Sequence, residues 1–145
     1  MAKVSQSVLV NAPAQKIFEQ LADPARAVTF VPGLNRITNV APPEPKVGRT
    51  WEFEFDWFGL VISGQSRCSR HDEPAVYQFE TLTGSKSTWT YRCEPRDGKT
   101  QLTLEVEYEI SKNLLARFAT QAALESMNQN RAREVVANLK ALVEP

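Results

Sequence analysis

Hydrophobic and polar residues alternate with a period of two through the middle of the chain, roughly from residue 49 to residue 110. The stretch TWEFEFDW (50–57) shows the pattern most clearly, since large aromatic residues alternate there with acidic ones. Successive side chains on a strand point to opposite faces of a sheet, so the alternation predicts strands with one apolar and one polar face. The region is divided into successive hairpins by turn signals, which stand at 58–59, 71–74, 83–85 and 97–98.

The register of these hairpins follows from counting outward from each turn, with every turn taken as tight. The expected pairs are Phe53 with Gly64, Phe55 with Ile62, Cys68 with Phe79, Phe79 with Trp89, Tyr77 with Tyr91, Tyr91 with Leu104 and Trp89 with Val106. A slip of one residue at any turn would scatter the apolar residues over both faces, so their agreement supports the register. The predicted apolar face contains Trp51, Phe53, Phe55, Trp57, Leu60, Ile62, Gly64, Ser66, Cys68, Tyr77, Phe79, Trp89, Tyr91, Cys93, Leu102, Leu104, Val106 and Tyr108.

The segments before the meander predict two strands and two short helices. Residues 4–10 and 34–40 have the composition of strands. Between them, the sequence NAPAQKIFEQLADP (11–24) predicts a helix with Asn11 as its N-cap. The pair Asp23-Pro24 then predicts the start of a second short helix, because a capping side chain is followed by a proline whose φ suits the first turn.

One long C-terminal helix is predicted over residues 113–143, which contain neither proline nor glycine. Such a helix is roughly 45 Å long but only about 10 Å wide with its side chains. Five or six strands make an apolar face about 25–30 Å across, so this helix and two short ones cannot cover it. The twist of the sheet adds to the gap. We therefore predict that the aromatic residues line a pocket as well as a core.

The order of these elements and the segments APAQKIFEQLADP (12–24) and VPG (31–33) resemble the START-like (SRPBCC, Bet v 1-like) helix-grip superfamily. Within it, the chain is most similar to the polyketide cyclase/dehydrase-type proteins, over residues 1–145 as a single domain. The resemblance implies an α+β fold, with a curved antiparallel sheet of about seven strands around the C-terminal helix and two short helices after the first strand. Lipid carriers, hormone receptors, cyclases and co-chaperones share this fold, so the resemblance does not decide the function.

Polar residues interrupt the apolar stripe of the predicted C-terminal helix. Its later half is apolar on one face, whereas Gln121, Glu125 and Asn128 fall on the same face nearer its start. A buried unpaired carboxylate is costly, so Glu125 is expected either in solvent or at the mouth of the pocket. In the second case the three side chains would bind polar atoms of a ligand, and the inward parity of Arg70 makes it a further partner for Glu125.

Gly64 is expected on the inner face, opposite Phe53. A glycine inside a strand often marks a bulge or the close approach of another group. Two interpretations therefore stay open for Gly64: it leaves floor space for a ligand, or it forms a bulge that bends the sheet.

The function predicted from these patterns is binding of an apolar or aromatic small molecule, such as a lipid, polyketide or isoprenoid-like compound, between sheet and helix. The predicted ligand-binding residues are Trp51, Phe53, Phe55, Ile62, Gly64, Ser66, Phe79, Trp89, Tyr91, Leu104, Val106, Phe118, Gln121, Glu125 and Asn128. A polyketide cyclase or dehydratase is the first alternative, with Glu125 as general acid/base and a tyrosine such as Tyr91 as donor to an enolate. A protein-interaction or co-chaperone-like module is the second.

Composition argues against several other classes of protein. The chain has 17 basic and 17 acidic residues without a basic cluster, so nucleic acid is not an expected partner. No apolar stretch has the length of a signal peptide core or a membrane span, and two cysteines suit a reducing compartment, so we expect a cytoplasmic protein without integral membrane association. His71 is expected at an exposed turn, and Cys68 and Cys93 as small buried residues too far apart for a disulfide. Neither a metal site nor a cofactor is predicted.

Overall fold

The computed structural model describes residues 2–145, apart from the side chain of Leu114. The strands are β1 (Ala2–Val10), β2 (Leu34–Ala41), β3 (Thr50–Trp57), β4 (Leu60–Asp72), β5 (Val76–Thr81), β6 (Ser87–Arg96) and β7 (Lys99–Tyr108). The helices are α1 (Ala14–Leu21), a 3-10 helix (Pro24–Thr29), α2 (Lys112–Leu115) and α3 (Gln121–Val143). The strands form one seven-stranded antiparallel sheet in the order β1-β7-β6-β5-β4-β3-β2. The predicted helix-grip fold is confirmed.

Each predicted register pair of the central hairpins is confirmed. The structure contains the pairs Phe53 with Gly64, Phe55 with Ile62, Cys68 with Phe79, Phe79 with Trp89, Tyr77 with Tyr91, Tyr91 with Leu104 and Trp89 with Val106. The turn between β3 and β4 shows why the register could be predicted by counting residues outward from it. Phe58 has φ 50° and Gly59 has φ 87°, the left-handed conformations that a two-residue hairpin turn requires.

A β-bulge in β4 changes which residues face inward near the end of that strand. Cys68 pairs with Phe79 but His71 pairs with Tyr77, so one extra residue of β4 lies between these two pairs. The extra residue reverses the alternation, which turns Arg70 outward and His71 inward. The predictions of an inward-facing Arg70 and an exposed turn position for His71 are therefore wrong.

The predicted helix caps near the N-terminus are half right. Pro13 occupies the N-cap position of α1, so the prediction of Asn11 as the cap is wrong. The backbone N–H of Asn11 instead donates to the Glu144 carboxylate at 2.7 Å, which ties the end of the chain to the start of α1. Asp23 caps the 3-10 helix that begins with Pro24, as the sequence predicted.

The predicted helix over 113–143 is two helices, α2 and α3, joined by a short connection. Thr120 starts α3, because its hydroxyl accepts a backbone N–H of the first turn at 3.0 Å. In the first turns of α3, Leu124 is buried while Gln121 and Glu125 are exposed. The later half of α3 has the predicted apolar stripe, which consists of Ala132, Val135, Val136, Leu139 and Val143.

Helix α3 covers only one side of the apolar face of the sheet. It packs against β1 and β7, and the Gln6 amide donates to the Gln129 side-chain oxygen at 2.6 Å. The 3-10 helix packs against β2, at the opposite edge of the sheet. The middle strands therefore have space between their apolar face and the helices, as the width of the sheet predicted.

Candidate ligand-binding cavity

A cavity of about 180 Å³ lies between the sheet, the 3-10 helix with the segment that follows it, and α3. The inner faces of all seven strands contribute lining residues, from Val4 on β1 to Ile37 on β2. An apolar protein cavity of roughly 150 Å³ is known to bind benzene. The cavity therefore has room for at least one aromatic ring.

Aromatic rings form the wall of the cavity on the middle strands. Phe79 stacks on Trp89 with 5.7 Å between the ring centroids, and Trp51 meets Phe79 edge to face at 5.4 Å. Both geometries are attractive for aromatic pairs, so each ring fixes the position of its neighbour. The wall is a preformed apolar surface of the kind that binds small molecules.

A small cluster that is separate from the main core borders the cavity through Trp57. This end cluster is built around Trp57 and Leu124, with Phe58 and Phe118 among the residues packed against them. Phe118 meets the Trp57 ring at 5.2 Å and the Phe58 ring at 5.6 Å between centroids. Because these rings come from the β3–β4 hairpin and from the segment before α3, the end cluster joins two distant parts of the chain.

Helix α3 turns one face toward the cavity, with Asn128, Arg131, Ala132 and Val135 at the spacing i, i+3, i+4 and i+7. Arg131 is the only charged residue among the described residues that line the cavity. Its guanidinium lies over the Phe58 ring, 4.4 Å from the centroid, in a cation–π contact.

A row of hydroxyl groups crosses the inner face of the sheet. Ser66, Thr81, Ser87 and Tyr108 lie side by side, since each is the register partner of the next on adjacent strands, and all four line the cavity. The Thr81 and Ser87 hydroxyls are 3.1 Å apart and hydrogen-bonded, and the Trp89 indole N–H donates to Ser87 Oγ at 3.2 Å. The Tyr108 hydroxyl is buried and, within the described part of the chain, has no hydrogen-bond partner.

Two more tyrosines in the lining are held in their neutral form. Burial, which removes water from the hydroxyl, raises the pKa of both Tyr77 and Tyr91 far above the usual value of 10.0. The described lining residues include no carboxylate and no imidazole. The cavity wall therefore supplies no general base at neutral pH.

Most of the predicted ligand-binding residues line this cavity. They are Trp51, Phe53, Phe55, Ile62, Ser66, Phe79, Trp89, Tyr91, Leu104, Val106 and Asn128. The others, which do not line it, are Gly64, Phe118, Gln121 and Glu125. Ligand contact by any of these residues stays a prediction, which the experiments below test.

Protein backbone occupies the space above Gly64. A Cβ atom at this position would lie 2.1 Å from the carbonyl oxygen of Thr83, in the turn between β5 and β6. The turn is held there by the Leu82 N–H, which donates to the Gln65 carbonyl at 2.6 Å. The β3–β4 pairing runs through Gly64 without a register shift. Gly64 is therefore neither a cavity floor nor a bulge, and both interpretations of it are corrected: it permits a close backbone approach.

Glu125 and Gln121 lie in the solvent-exposed first turns of α3. The Gln121 amide donates to a Glu125 carboxylate oxygen at 3.2 Å, and neither residue lines the cavity. Arg70, the expected partner of Glu125, forms an ion pair with Asp72 on its own strand. This geometry gives no support to Glu125 as a catalytic residue or as a group at the mouth of the cavity.

The single histidine and the two cysteines belong to the core beside the cavity. His71 packs edge to face against Phe18, with 5.1 Å between the ring centroids, and its Nδ1 atom is buried without a hydrogen-bond partner among residues 2–145. Cys68 and Cys93 are free and buried, as predicted. Burial raises the pKa of both thiols, that of Cys93 to about 12, so neither is a reactive thiolate.

Several lining residues were missed by the sequence reasoning. The 3-10 helix and the segment after it contribute Pro24, Ala27, Phe30 and Val31, and α3 contributes Arg131. The apolar residues just before Pro32-Gly33 were a usable signal for the first group. Arg131 was detectable too, because it lies three residues after Asn128 on the face of the apolar stripe.

Residues 1–144 match the sequence family described as polyketide cyclase/dehydrase and lipid transport. The chain belongs to this family. Membership in the polyketide cyclase/dehydrase and lipid transport family supports a role in ligand binding or in cyclase chemistry. The sequence matches no curated protein. No helix in the described range is long and apolar enough to cross a membrane.

Solved structures with the same fold come from several bacteria. A Thermus thermophilus protein has a TM-score of 0.81 at 14% identity, with 98% of this chain and 97% of that chain covered. A START superfamily protein from Mycobacterium smegmatis has a TM-score of 0.79 at 13% identity, with 97% and 96% covered. The Zhui aromatase/cyclase from a Streptomyces species has a TM-score of 0.73 at 20% identity, with 98% and 93% covered. These likenesses confirm the START-like fold.

Proposed function

We propose that the protein binds an apolar or aromatic small molecule in the cavity between the sheet and α3. The observation that carries this proposal is the wall itself: a space of about 180 Å³ bordered by apolar side chains from every strand, with Arg131 as the only charged residue in the described lining. Apolar surface removed from water contributes about 25 cal/mol per Å², so such a wall supplies affinity while a few polar groups set the orientation. Lipids, polyketides and isoprenoid-like compounds all offer this kind of surface.

Catalysis has less support than binding. A cyclase or dehydratase needs a group that accepts a proton at neutral pH, and the described lining residues contain neither a carboxylate nor a histidine. Tyr91, which does line the cavity, has a pKa raised by burial and stays protonated. Tyr91 is therefore a hydrogen-bond donor to a bound ligand rather than a base.

A protein-docking surface also has less support. Among the described residues, the exposed large apolar side chains lie on different strands, helices and loops, and they are Leu9, Val28, Val47, Val61, Leu82, Leu115 and Leu142. Scattered apolar residues of this kind are normal for the surface of a soluble domain, whereas docking sites show a contiguous patch.

The binding proposal is tested by isothermal titration with 2-naphthalenemethanol, a small neutral aromatic compound. The test variant is Ala132→Phe, because Ala132 lies on the cavity face of α3 and a benzyl group there fills the space. Ala137→Phe, on the exposed side of the same helix, is the control. We expect saturable binding by the wild type and by Ala137→Phe and none by a folded Ala132→Phe. If Ala132→Phe does not fold, Ala132→Leu is used as the cavity-filling variant instead. Equal binding by the cavity and surface variants would contradict the proposal.

A further inference from the structure

We propose that the ligand carries a carboxylate or a similar anionic group, which Arg131 and Asn128 bind from α3. This inference rests on the proposed function and specifies the class of its ligand. Both side chains lie on the cavity face of the helix, three residues apart, so one ligand group reaches both of them. An apolar cavity with one cationic side chain in its lining matches a molecule with an apolar body and an anionic end.

The charge of Arg131 has no carboxylate partner among residues 2–145. Six other arginines form ion pairs, as Arg36 does with Glu54 and Arg67 with Glu80, whereas Arg49, Arg117 and Arg133 form none in the described part of the chain. Arg131 instead places its guanidinium carbon over the Phe58 ring, 4.4 Å from the centroid. The N–H donors of the guanidinium have no acceptor in the described part of the protein, so they are available to a ligand. The cation–π contact therefore holds the guanidinium in place without neutralising it.

Asn128 adds a second donor with a fixed orientation. Its side-chain oxygen accepts the Trp57 indole N–H at 3.0 Å. The amide nitrogen, at the other side of the same group, has no acceptor in the described part of the protein. The unused donors of Asn128 and Arg131, together with the positive charge of Arg131, favour an anion over a cation.

Tyr108 is an independent sign that a polar ligand atom belongs in this cavity. The residue lines the cavity with 7% of its surface exposed, and its hydroxyl is buried without a hydrogen-bond partner in the described part of the chain. Native proteins satisfy almost all buried polar groups, so a lone hydroxyl on a cavity-lining residue favours a partner that enters with the ligand. A ligand oxygen supplies that partner.

The test compares probes that share one aromatic body and differ in charge: 2-naphthoate, 2-naphthalenemethanol and 2-naphthylmethylammonium, at pH 7.5 and fixed salt. A hydrogen bond to a charged group corresponds to about a 10-fold to 100-fold change in Kd. We expect the wild type to bind naphthoate at least about tenfold more tightly than the alcohol, and the ammonium compound most weakly. Arg131→Gln should remove this preference, so that naphthoate binds no more tightly than the alcohol does.

The control is Arg133→Gln, which removes the same charge from an exposed position two residues away. It should keep the wild-type order of affinities. The inference is overturned if the wild type binds the alcohol as tightly as naphthoate, or if the two arginine variants lose the anion preference equally. In both cases binding of the alcohol upholds the proposed function. If none of the three probes binds, the proposed function fails and this inference fails with it.

Discussion

The Trp57 indole N–H donates to the Asn128 side-chain oxygen at 3.0 Å, which joins the tip of the β3–β4 hairpin to α3 at the end of the cavity. Trp57 also packs against Phe58 and Phe118, so the hydrogen bond belongs to the end cluster. The cluster holds together two segments that the sheet does not connect directly. The end cluster therefore holds the tip of the β3–β4 hairpin beside α3 at the border of the cavity.

The first prediction concerns this bond. Asn128→Ala should lower the free energy of unfolding in urea by about 1–2 kcal/mol, because the buried indole N–H loses its acceptor. Trp57→Phe removes the donor and costs packing as well. In a double-mutant cycle the two changes should couple by about 0.5–1.5 kcal/mol. Strictly additive effects would show that this hydrogen bond does not contribute to the free energy of unfolding.

The second prediction concerns Gly64. Gly64→Ala places a methyl group 2.1 Å from the Thr83 carbonyl oxygen, and the turn must move to admit it. We expect the free energy of unfolding to fall by about 1–3 kcal/mol, as for other overpacked sites. The exposed neighbouring change Ser63→Ala should stay within about 0.5 kcal/mol of the wild type. A Gly64→Ala protein as stable as Ser63→Ala would mean that the turn does not lie against β4.

The third prediction compares two hydroxyls of the row across the sheet. Tyr108→Phe should leave the free energy of unfolding unchanged or raise it by up to about 1 kcal/mol, since the lost hydroxyl has no partner in the described structure. Thr81→Val should lower it by about 1 kcal/mol or more, because the Thr81 hydroxyl accepts the Ser87 N–H at 2.7 Å. The opposite order in urea denaturation would indicate that Tyr108 is hydrogen-bonded in the free protein.

The fourth prediction follows from the pKa of Cys93, which burial raises from 9.0 to about 12. The folded state therefore holds this proton more tightly than the unfolded state does. The resulting stability is complete below about pH 9 and is lost as the pH rises toward 12. Between pH 8 and pH 10.5, the wild type should lose more free energy of unfolding than Cys93→Ala, which lacks the titrating group. Parallel pH profiles would contradict the prediction.

The sheet could be predicted from the sequence because its two determinants are local. Alternation gives each strand its inner face, and residues such as Phe58-Gly59 and Asp97-Gly98 give each turn its left-handed backbone. The cavity could be predicted from the sheet, because a sheet of this many strands is wider than the helix that packs on it. Both features follow without knowledge of contacts between distant residues.

The errors came from features that local patterns do not specify. The bulge in β4 shifts the alternation by one residue, which reversed the positions of Arg70 and His71. The space above Gly64 is taken by a turn some twenty residues later in the chain, a contact that only the tertiary structure brings about. The prediction of one helix over 113–143 was an avoidable error. Thr120 is a good N-cap, so its hydroxyl signals that a new helix begins there.

The central claim is that a small apolar ligand occupies the cavity, and the most direct test is to locate a bound probe by NMR. We would measure intermolecular nuclear Overhauser effects between 2-naphthalenemethanol and the methyl groups of the protein. The account predicts contacts with Leu104, Val106, Ala132 and Val135, which line the cavity from β7 and α3. The exposed Val47 and Val61 should show none. Saturable binding with contacts only to exposed methyl groups, or no binding of the probe, would contradict the account.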